Sequence, residues 1–189
     1  MQILSPNCYL EYVPNWLSQT DADRFFTQLY ETIEWEVGEV FVFGRWHTTP
    51  RLQAWYGDAN KSYRYSGKAL VAKPWTDALV ELRQRLKERG FDFNSVLLNL
   101  YRDGEDRMGW HRDNEPELGD KPVIASISLG AERDFQLRHR QDKSKHTLTL
   151  GHGSLLLMTG ETQTYWEHQL PQRKRCRSPR LNLTFRKVF

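Results

Sequence analysis

The sequence predicts a mainly β protein of the α+β class, a double-stranded β-helix (jelly roll) with about two helices packed against one sheet. Helical periodicity is confined to the first half of the chain, at about residues 19–32 and 75–89. Much of the remainder consists of short strand-like segments separated by turns, which is typical of a jelly roll. The later strands are predicted at Val96–Tyr101, Val123–Leu129, Asp134–Arg138, His146–Leu150, Ser154–Met158 and Leu181–Val188.

Length and composition favour one domain over residues 1–189, because no linker rich in Pro, Gly or Ser divides the chain. No segment approaches the roughly 18 to 20 apolar residues of a membrane span, and the first residues lack a basic start followed by an apolar run. We therefore expect an intracellular monomer without membrane contact, with Cys8 and Cys176 as free thiols. The net charge of +3 permits nucleic-acid contact without selecting a partner.

The two predicted helices have recognisable ends. The first, at about 19–32, follows Ser18, a residue type that caps helix N-termini. The second, at about 75–89, begins after Pro74 and ends at Gly90. Apolar residues three and four positions apart give each helix one face for the core.

Strand-like residues fill 37–56 and predict one or two hairpins. Their tip, Val42, Phe43, Gly44 and Arg45, combines apolar bulk, a flexible joint and a cation. This combination suits a wedge that enters a base stack while Arg45 meets a phosphate. An ordinary hairpin end has the same composition.

Two aromatic side chains follow the hairpin and alternate along the chain. Tyr63 and Tyr65 share one face of an extended segment that continues into Ser66. They are suited to sandwiching an extruded base or to packing in a core.

Asn99 and Tyr101 also project from one face, that of the predicted strand Val96–Tyr101. From the residues alone, each is a hydrogen-bonding group of unassigned role.

The segment with the strongest chemical pattern is His111-Arg112-Asp113, read together with the distant His168. Residues two apart on an extended backbone leave the same face, so His111 and Asp113 can converge on one point. Two imidazoles and one carboxylate on one side of an ion suit non-heme Fe(II) and leave positions open for chemistry. A His-x-Asp pair alone is also common in surface loops.

The last strand alternates strictly between apolar and polar residues. A strand of this kind is commonly half-buried with its polar side in water. Arginines at both ends of the polar face instead suggest a site for a dicarboxylate, although six residues of straight strand span roughly 20 Å and separate the two guanidinium groups. The polar face consists of Arg180, Asn182, Thr184 and Arg186.

These patterns, taken in order, resemble the AlkB family of Fe(II)- and 2-oxoglutarate-dependent dioxygenases, and most of all its branch that repairs alkylated duplex DNA. The resemblance runs from about residue 40 to the C-terminus. Its motifs are Asn99-Leu100-Tyr101, His111-Arg112-Asp113, the segment 122–131, Arg133-Asp134-Phe135, His152-Gly153-Ser154-Leu155-Leu156, His168 and the segment 179–186.

The resemblance implies roles for three groups of residues. It implies that His111, Asp113 and His168 form the catalytic centre and hold Fe(II). It implies that 2-oxoglutarate is bound by Asn99, Tyr101, Arg180, Asn182, Thr184 and Arg186. It implies that the substrate is bound by Val42, Phe43, Gly44, Arg45, Tyr63, Tyr65, Ser66, Asn114 and Glu115.

The implied activity is the repair of bases such as 1-methyladenine and 3-methylcytosine in single- or double-stranded DNA. Oxidation of 2-oxoglutarate by O2 is coupled to hydroxylation of the N-methyl group, which leaves as formaldehyde. Residues 1–95 would then form an N-terminal extension with helices and nucleotide-recognition hairpins, and 96–189 the catalytic jelly-roll core. The compartment would be the cytoplasm or nucleoid of a bacterium, or the nucleus of a eukaryote.

Two alternatives use the same residues differently. A dioxygenase directed at RNA or protein would carry the same core motifs, and only the wedge and the aromatic pair favour DNA. A non-catalytic nucleic-acid-binding module would use the basic segments 138–145 and 173–177 together with Tyr63 and Tyr65. That module leaves the His-Asp-His set and the two arginines unexplained.

Overall fold

A computed structural model describes residues 2–42, 44–59, 62–65 and 68–189, with the backbone alone at 2–5, 41–42, 62–65 and 68–70. The order of elements is β1 (Gln2–Ser5), β2 (Cys8–Val13), α1 (Gln19–Thr32), β3 (Glu36–Val42), β4 (Arg45–Gly57), β5 (Ser62–Tyr65), β6 (Lys68–Val71), α2 (Asp77–Glu88), β7 (Ser95–Tyr101), β8 (Met108–His111), β9 (Ile124–Gly130), β10 (Arg133–His139), β11 (Lys145–Leu150), β12 (Ser154–Thr159), α3 (Thr162–Tyr165), β13 (Trp166–Leu170) and β14 (Arg180–Arg186).

Two sheets face each other. The larger has the order β1-β2-β12-β9-β14-β7-β4-β3, and the smaller has the order β11-β10-β13-β8. Neighbouring strands in both sheets are antiparallel. This is the predicted jelly roll, and strands from both halves of the chain share its larger sheet.

Helices α1 and α2 pack on the outer face of the larger sheet, as predicted. Ser18 caps α1, because its Oγ accepts a hydrogen bond from the Asp21 amide at 3.1 Å. The predicted start of the second helix at 75 was too early, since Thr76 has an extended backbone and serves as the N-cap of α2. The buried side chains of the two helices join those of β7, β9 and β14 in one core. None of the helices in the described ranges is long and apolar enough to span a bilayer.

The predicted hairpin extends past the body of the larger sheet. In β4, Leu52–Gly57 pair with β7, and Leu52 and Gln53 also pair with the start of β3, whereas the residues from Arg45 to Thr48 pair only with β3. Gly44 forms the turn with φ +75°, a conformation that glycine adopts without strain. The hairpin therefore presents its tip away from the sheet. A separate two-stranded sheet, β5 with β6, carries the segment of Tyr63 and Tyr65.

The two cysteines are free and differ in environment. The Cys8 side chain is fully buried, and burial raises its pKa to about 12. Since the thiolate is the reactive form, we expect the native protein to react with a thiol reagent at pH 8 only at Cys176, and to react at both cysteines after denaturation. Titration with Ellman's reagent tests this, and two rapidly reacting thiols in the native protein would contradict it.

Candidate metal and co-substrate site

The site begins with a β-bulge between β8 and β13. His168 pairs with His111 and Leu170 pairs with Met108, so three residue steps along β8 lie opposite two residue steps along β13. The bulge lets Met108 and His111 both reach the cavity between the sheets, although regular alternation would send them to opposite faces. As a result the two imidazole rings meet inside, with centroids 4.2 Å apart.

A backbone hydrogen bond fixes the orientation of His111. Its Nδ1 lies 2.8 Å from the Gly109 carbonyl oxygen. Because a carbonyl can only accept, Nδ1 carries the proton and Nε2 keeps its lone pair for a ligand. Nε2 lies 3.9 Å from Asp113 Oδ1. Ligand atoms of His111, Asp113 and His168 all lie within 4.8 Å of one another, which leaves room for one ion.

The two oxygen atoms of the Asp113 carboxylate have different surroundings. The Arg186 guanidinium donates to Oδ2 through Nη2 at 2.8 Å and Nε at 3.2 Å. Among the described residues Oδ1 is buried without a hydrogen-bond partner, which is costly unless an ion binds there. Burial alone would raise the Asp113 pKa, but Arg186 and the two imidazoles outweigh it and lower the pKa to about 2. The carboxylate is therefore ionised at neutral pH.

Both imidazoles are held in their neutral, metal-binding form. Burial lowers the pKa of His168 to about 3, and the neighbouring His111 and Arg186 add to this effect. Burial also lowers the pKa of His111, in this case against the attraction of Asp113. A set of two neutral imidazoles and one carboxylate fits a divalent transition metal.

These shifts predict that the metal-free protein loses stability in mild acid. The unfolded chain protonates His168 near pH 6.5, whereas the folded chain does so only near pH 3, so stability falls as the pH drops below about 6.5. Between pH 7 and pH 5 this linkage amounts to about 2 kcal/mol. Urea unfolding of the apo protein should therefore show a larger loss than that of His168→Leu over the same range. Equal losses would contradict the assignment.

The polar face of β14 forms the floor of the same cavity. Antiparallel pairing places Arg180 opposite Tyr101 and Asn182 opposite Asn99. Unlike the half-exposed strand that alternation usually indicates, this face is covered by the smaller sheet, and Arg180 and Arg186 are buried. The space between the lining side chains amounts to about 480 Å³ and includes a part that is open to solvent. Its polar lining includes Asn99, Tyr101, His111, Asp113, Ser126, His168, Arg180, Asn182, Thr184 and Arg186.

Arg180 is the candidate anion-binding residue of the cavity and lies at the opposite end of β14 from Arg186. Its side chain is 2% exposed and donates to Ser128 Oγ at 2.8 Å. Within the described part of the chain, its Nε and Nη1 have no hydrogen-bond partner. Burial lowers the pKa of this guanidinium to about 10, with Arg133 contributing repulsion. An arginine that is buried with donors unused fits a carboxylate of a bound molecule.

The cavity therefore combines a metal triad with an anion site, and the comparisons with known proteins agree with this geometry. The model of the 2OG-Fe(II) oxygenase superfamily matches residues 9–186. DNA oxidative demethylase ALKBH2 of Mus musculus is 47% identical over 183 residues, which cover 90% of this chain and 77% of that protein. The chain belongs to the AlkB family of 2OG-Fe(II) oxygenases.

More distant relatives support the same placement. The alpha-ketoglutarate-dependent dioxygenase alkB homolog 3 of Bos taurus is 38% identical over 187 residues, covering 93% of this chain and 65% of that protein. The solved structure titled "The structure of OsALKBH1" superposes with a TM-score of 0.61 at 18% identity, covers 98% of this chain and is itself fully covered. That structural likeness supports the jelly roll. The cofactors of the family are Fe(II) and 2-oxoglutarate, with O2 as co-substrate.

Of the residues predicted to bind substrate, those with described side chains do not line the cavity that contains the His-Asp-His set. Gly44 and Arg45 form the exposed hairpin tip, and Asn114 is exposed just after Asp113, with Glu115 half-buried beside it. The backbone of Val42 ends β3, and the backbones of Tyr63 and Tyr65 lie in β5, but their side chains lie outside the described residues. Phe43 and Ser66 lie wholly outside them. The roles of these residues remain predictions.

Sequence reasoning gave no role in the co-substrate cavity to several residues that shape it. Arg51 is buried in β4 and donates from Nε to Asn99 Oδ1 at 2.7 Å. Arg133 is buried beneath Tyr101 and donates to three backbone carbonyls of the loops at 103–106 and 171. Ser126 and Ser128 hold Asn182 and Arg180. The alternation of Ser126 and Ser128 in a predicted strand was a usable signal, whereas a buried arginine has no local signal.

Proposed function

We propose that this protein is a DNA oxidative demethylase that restores bases of the 1-methyladenine and 3-methylcytosine type. The observation that carries the proposal is one cavity lined by the Asp113 carboxylate, the His111 and His168 imidazoles and the Arg180 guanidinium, in which Asp113 Oδ1 and two donors of Arg180, Nε and Nη1, have no hydrogen-bond partner among the described residues. The family supplies the cofactors, and the relatives named as DNA oxidative demethylases support the substrate class.

In this proposal His111, Asp113 and His168 are the catalytic residues and hold Fe(II). Asp113 offers Oδ1 to the metal while Arg186 occupies Oδ2 and keeps the carboxylate ionised. The bound iron and 2-oxoglutarate supply the oxidation of the methyl group by O2. One oxygen atom of O2 would end in succinate, with loss of CO2 from 2-oxoglutarate, and the other in the hydroxymethyl group, which would leave the base as formaldehyde.

The co-substrate lies along the polar face of β14. Arg180 receives the carboxylate that is distant from the metal, because its unused donors face the cavity. Tyr101 lies beside that guanidinium, with its ring centroid 5.3 Å from the guanidinium carbon. Asn99 lines the cavity with its orientation set by Arg51. The hydrogen-bonded pair of Asn182 and Thr184 forms the floor between the two ends.

The substrate enters from the side of the projecting hairpin. Val42, Phe43 and Gly44 fill the gap left by an extruded base, while Arg45 meets a phosphate. Tyr63, Tyr65 and Ser66 form one wall of the base pocket, and Asn114 and Glu115 form its edge. Methylation on the Watson–Crick edge weakens pairing, so damaged bases cost less to extrude than intact ones.

We further propose that the chain acts as an intracellular monomer with a single domain. Residues 1–95 contribute the helices and recognition hairpins, and 96–189 contribute the catalytic core. Both single-stranded and duplex DNA are included as substrates, with RNA as a weaker one.

The experiment that tests the proposal measures formaldehyde and restored base with Fe(II), 2-oxoglutarate and matched 1-methyladenine oligonucleotides. Three arms use single-stranded DNA, duplex DNA and RNA of one sequence. We expect turnover of DNA by the wild type and none by Asp113→Ala. Equal formaldehyde release by the two proteins would remove the enzymatic proposal, and a preference for the RNA arm would replace DNA as the substrate.

A further inference from the structure

The backbone of Asp113, the predicted metal ligand, is not held by strand pairing among the described residues. It lies two residues beyond the end of β8, and the described pairing of β8 with β13 consists of two residue pairs separated by a register shift. The sheet therefore fixes His111 and His168 but leaves the main chain at Asp113 to other contacts. Arg186 holds only one oxygen of its carboxylate.

Gln163 supplies the missing support from α3. Its side chain is 2% exposed, and its Oε1 accepts a hydrogen bond from the Asp113 backbone N–H at 3.0 Å. Nε2 lies 3.5 Å from the sulfur of Met158, a residue that lines the cavity. Because a backbone N–H can only donate, the amide must turn its oxygen toward Asp113. The Gln163 backbone carbonyl also accepts a longer bond, 3.4 Å, from Arg112.

The turn that carries Gln163 is itself held in place. Thr162 donates from Oγ1 to the Thr159 carbonyl at 2.7 Å and accepts from the Tyr9 amide at 2.9 Å. Arg140 donates to the Thr164 carbonyl at 3.0 Å. The chain then enters β13, which bears His168. Gln163 thus joins the segment of Asp113 to the segment of His168 through a short anchored turn.

We propose that Gln163 is a positioning residue for the metal centre, which aims Asp113 Oδ1 at the point between His111 and His168. This inference rests on the proposed function, since it assumes that the triad binds a divalent metal. Partners that orient metal ligands without touching the metal typically contribute 10- to 100-fold to affinity. A glutamine that only satisfies buried backbone would contribute to stability and leave metal affinity unchanged.

The test compares Mn²⁺ binding by apo proteins, measured by isothermal titration calorimetry at a temperature at which circular dichroism shows each to be folded. Gln163→Met keeps the length of the side chain but removes the acceptor, and we expect its dissociation constant to rise about 10- to 100-fold. The matched control is Gln136→Met, which loses a 2.7 Å bond from Gln169 on the smaller sheet. We expect this control to bind Mn²⁺ within about twofold of the wild type, because the described side-chain hydrogen bond of Gln136 goes to Gln169 and not to His111, Asp113 or His168.

A measurement on the wild type keeps the inference testable if Gln163→Met does not fold. The Asp113 amide should be protected from hydrogen exchange in the metal-free protein, because its acceptor is already in place. Exchange of that amide at the rate of an unprotected residue, or wild-type Mn²⁺ affinity in Gln163→Met, would overturn the inference. Failure of the wild type itself to bind Mn²⁺ would instead remove the proposed function.

Discussion

His168→Ala is expected to abolish demethylation and to weaken Mn²⁺ binding by more than about 100-fold, since loss of an outer partner of a metal ligand already costs 10- to 100-fold. The remaining His111 and Asp113 form an incomplete set, and the ionised carboxylate then keeps Arg186 as its main partner. Calorimetric titration of the apo protein with Mn²⁺ and formaldehyde release from methylated single-stranded DNA measure the two effects.

The control for the Mn²⁺ titration is His47→Ala. It is not a control for the demethylation assay. His47 is exposed on β4 and lies outside the cluster of ligand atoms found among the described residues. We expect it to bind Mn²⁺ as the wild type does. Retention of wild-type affinity by His168→Ala would show that the triad is not the metal site.

Arg180→Met is expected to raise the KM for 2-oxoglutarate by about 30- to 5,000-fold, which corresponds to the 2–5 kcal/mol typical of a buried charge that loses its partner. The metal affinity should change little, because Arg186 and not Arg180 contacts Asp113. Steady-state kinetics at saturating methylated DNA measure the first quantity, and Mn²⁺ titration without 2-oxoglutarate measures the second.

The same substitution should stabilise the protein in the absence of 2-oxoglutarate. A buried guanidinium with two unused donors costs free energy, and methionine removes that cost while filling much of the volume. Thermal unfolding of apo Arg180→Met should therefore occur at a higher temperature than that of the wild type. Arg83→Met, which removes a partly exposed ion pair with Asp58, is the matched control and should not show this rise. A lower unfolding temperature together with an unchanged KM would contradict the anion-site assignment.

The jelly roll and much of the candidate site were predictable from local patterns. The strict alternation of the last strand placed Arg180, Asn182, Thr184 and Arg186 on one face, and these residues line one cavity. The separation of Arg180 from Arg186 along a straight strand indicated that they do not share one carboxylate; Arg186 contacts Asp113, whereas Arg180 contacts Ser128, and the role of Arg180 toward the co-substrate stays a prediction. The family resemblance supplied His168, whose partners are more than fifty residues away in sequence.

The features that were not predictable depend on long-range geometry. The strands β8 and β13 were missed because each is short and their pairing includes a bulge, which removes the simple alternation that identifies a strand. The extended-backbone argument for His111 and Asp113 was incomplete, since Asp113 lies past the end of β8 and depends on Gln163. A glutamine in a four-residue helix has no sequence signal for such a role.

In the proposed site, the distance between the two arginines at the ends of β14 would make the enzyme selective for the length of the keto acid. The Arg186 guanidinium contacts the carboxylate of the predicted metal ligand Asp113, and the Arg180 guanidinium would bind a carboxylate of the keto acid. A single strand, paired on both sides, joins the two residues. Neighbouring strands on both sides prevent that strand from stretching or sliding, so homologous keto acids one methylene shorter or longer than 2-oxoglutarate would leave one end unmatched.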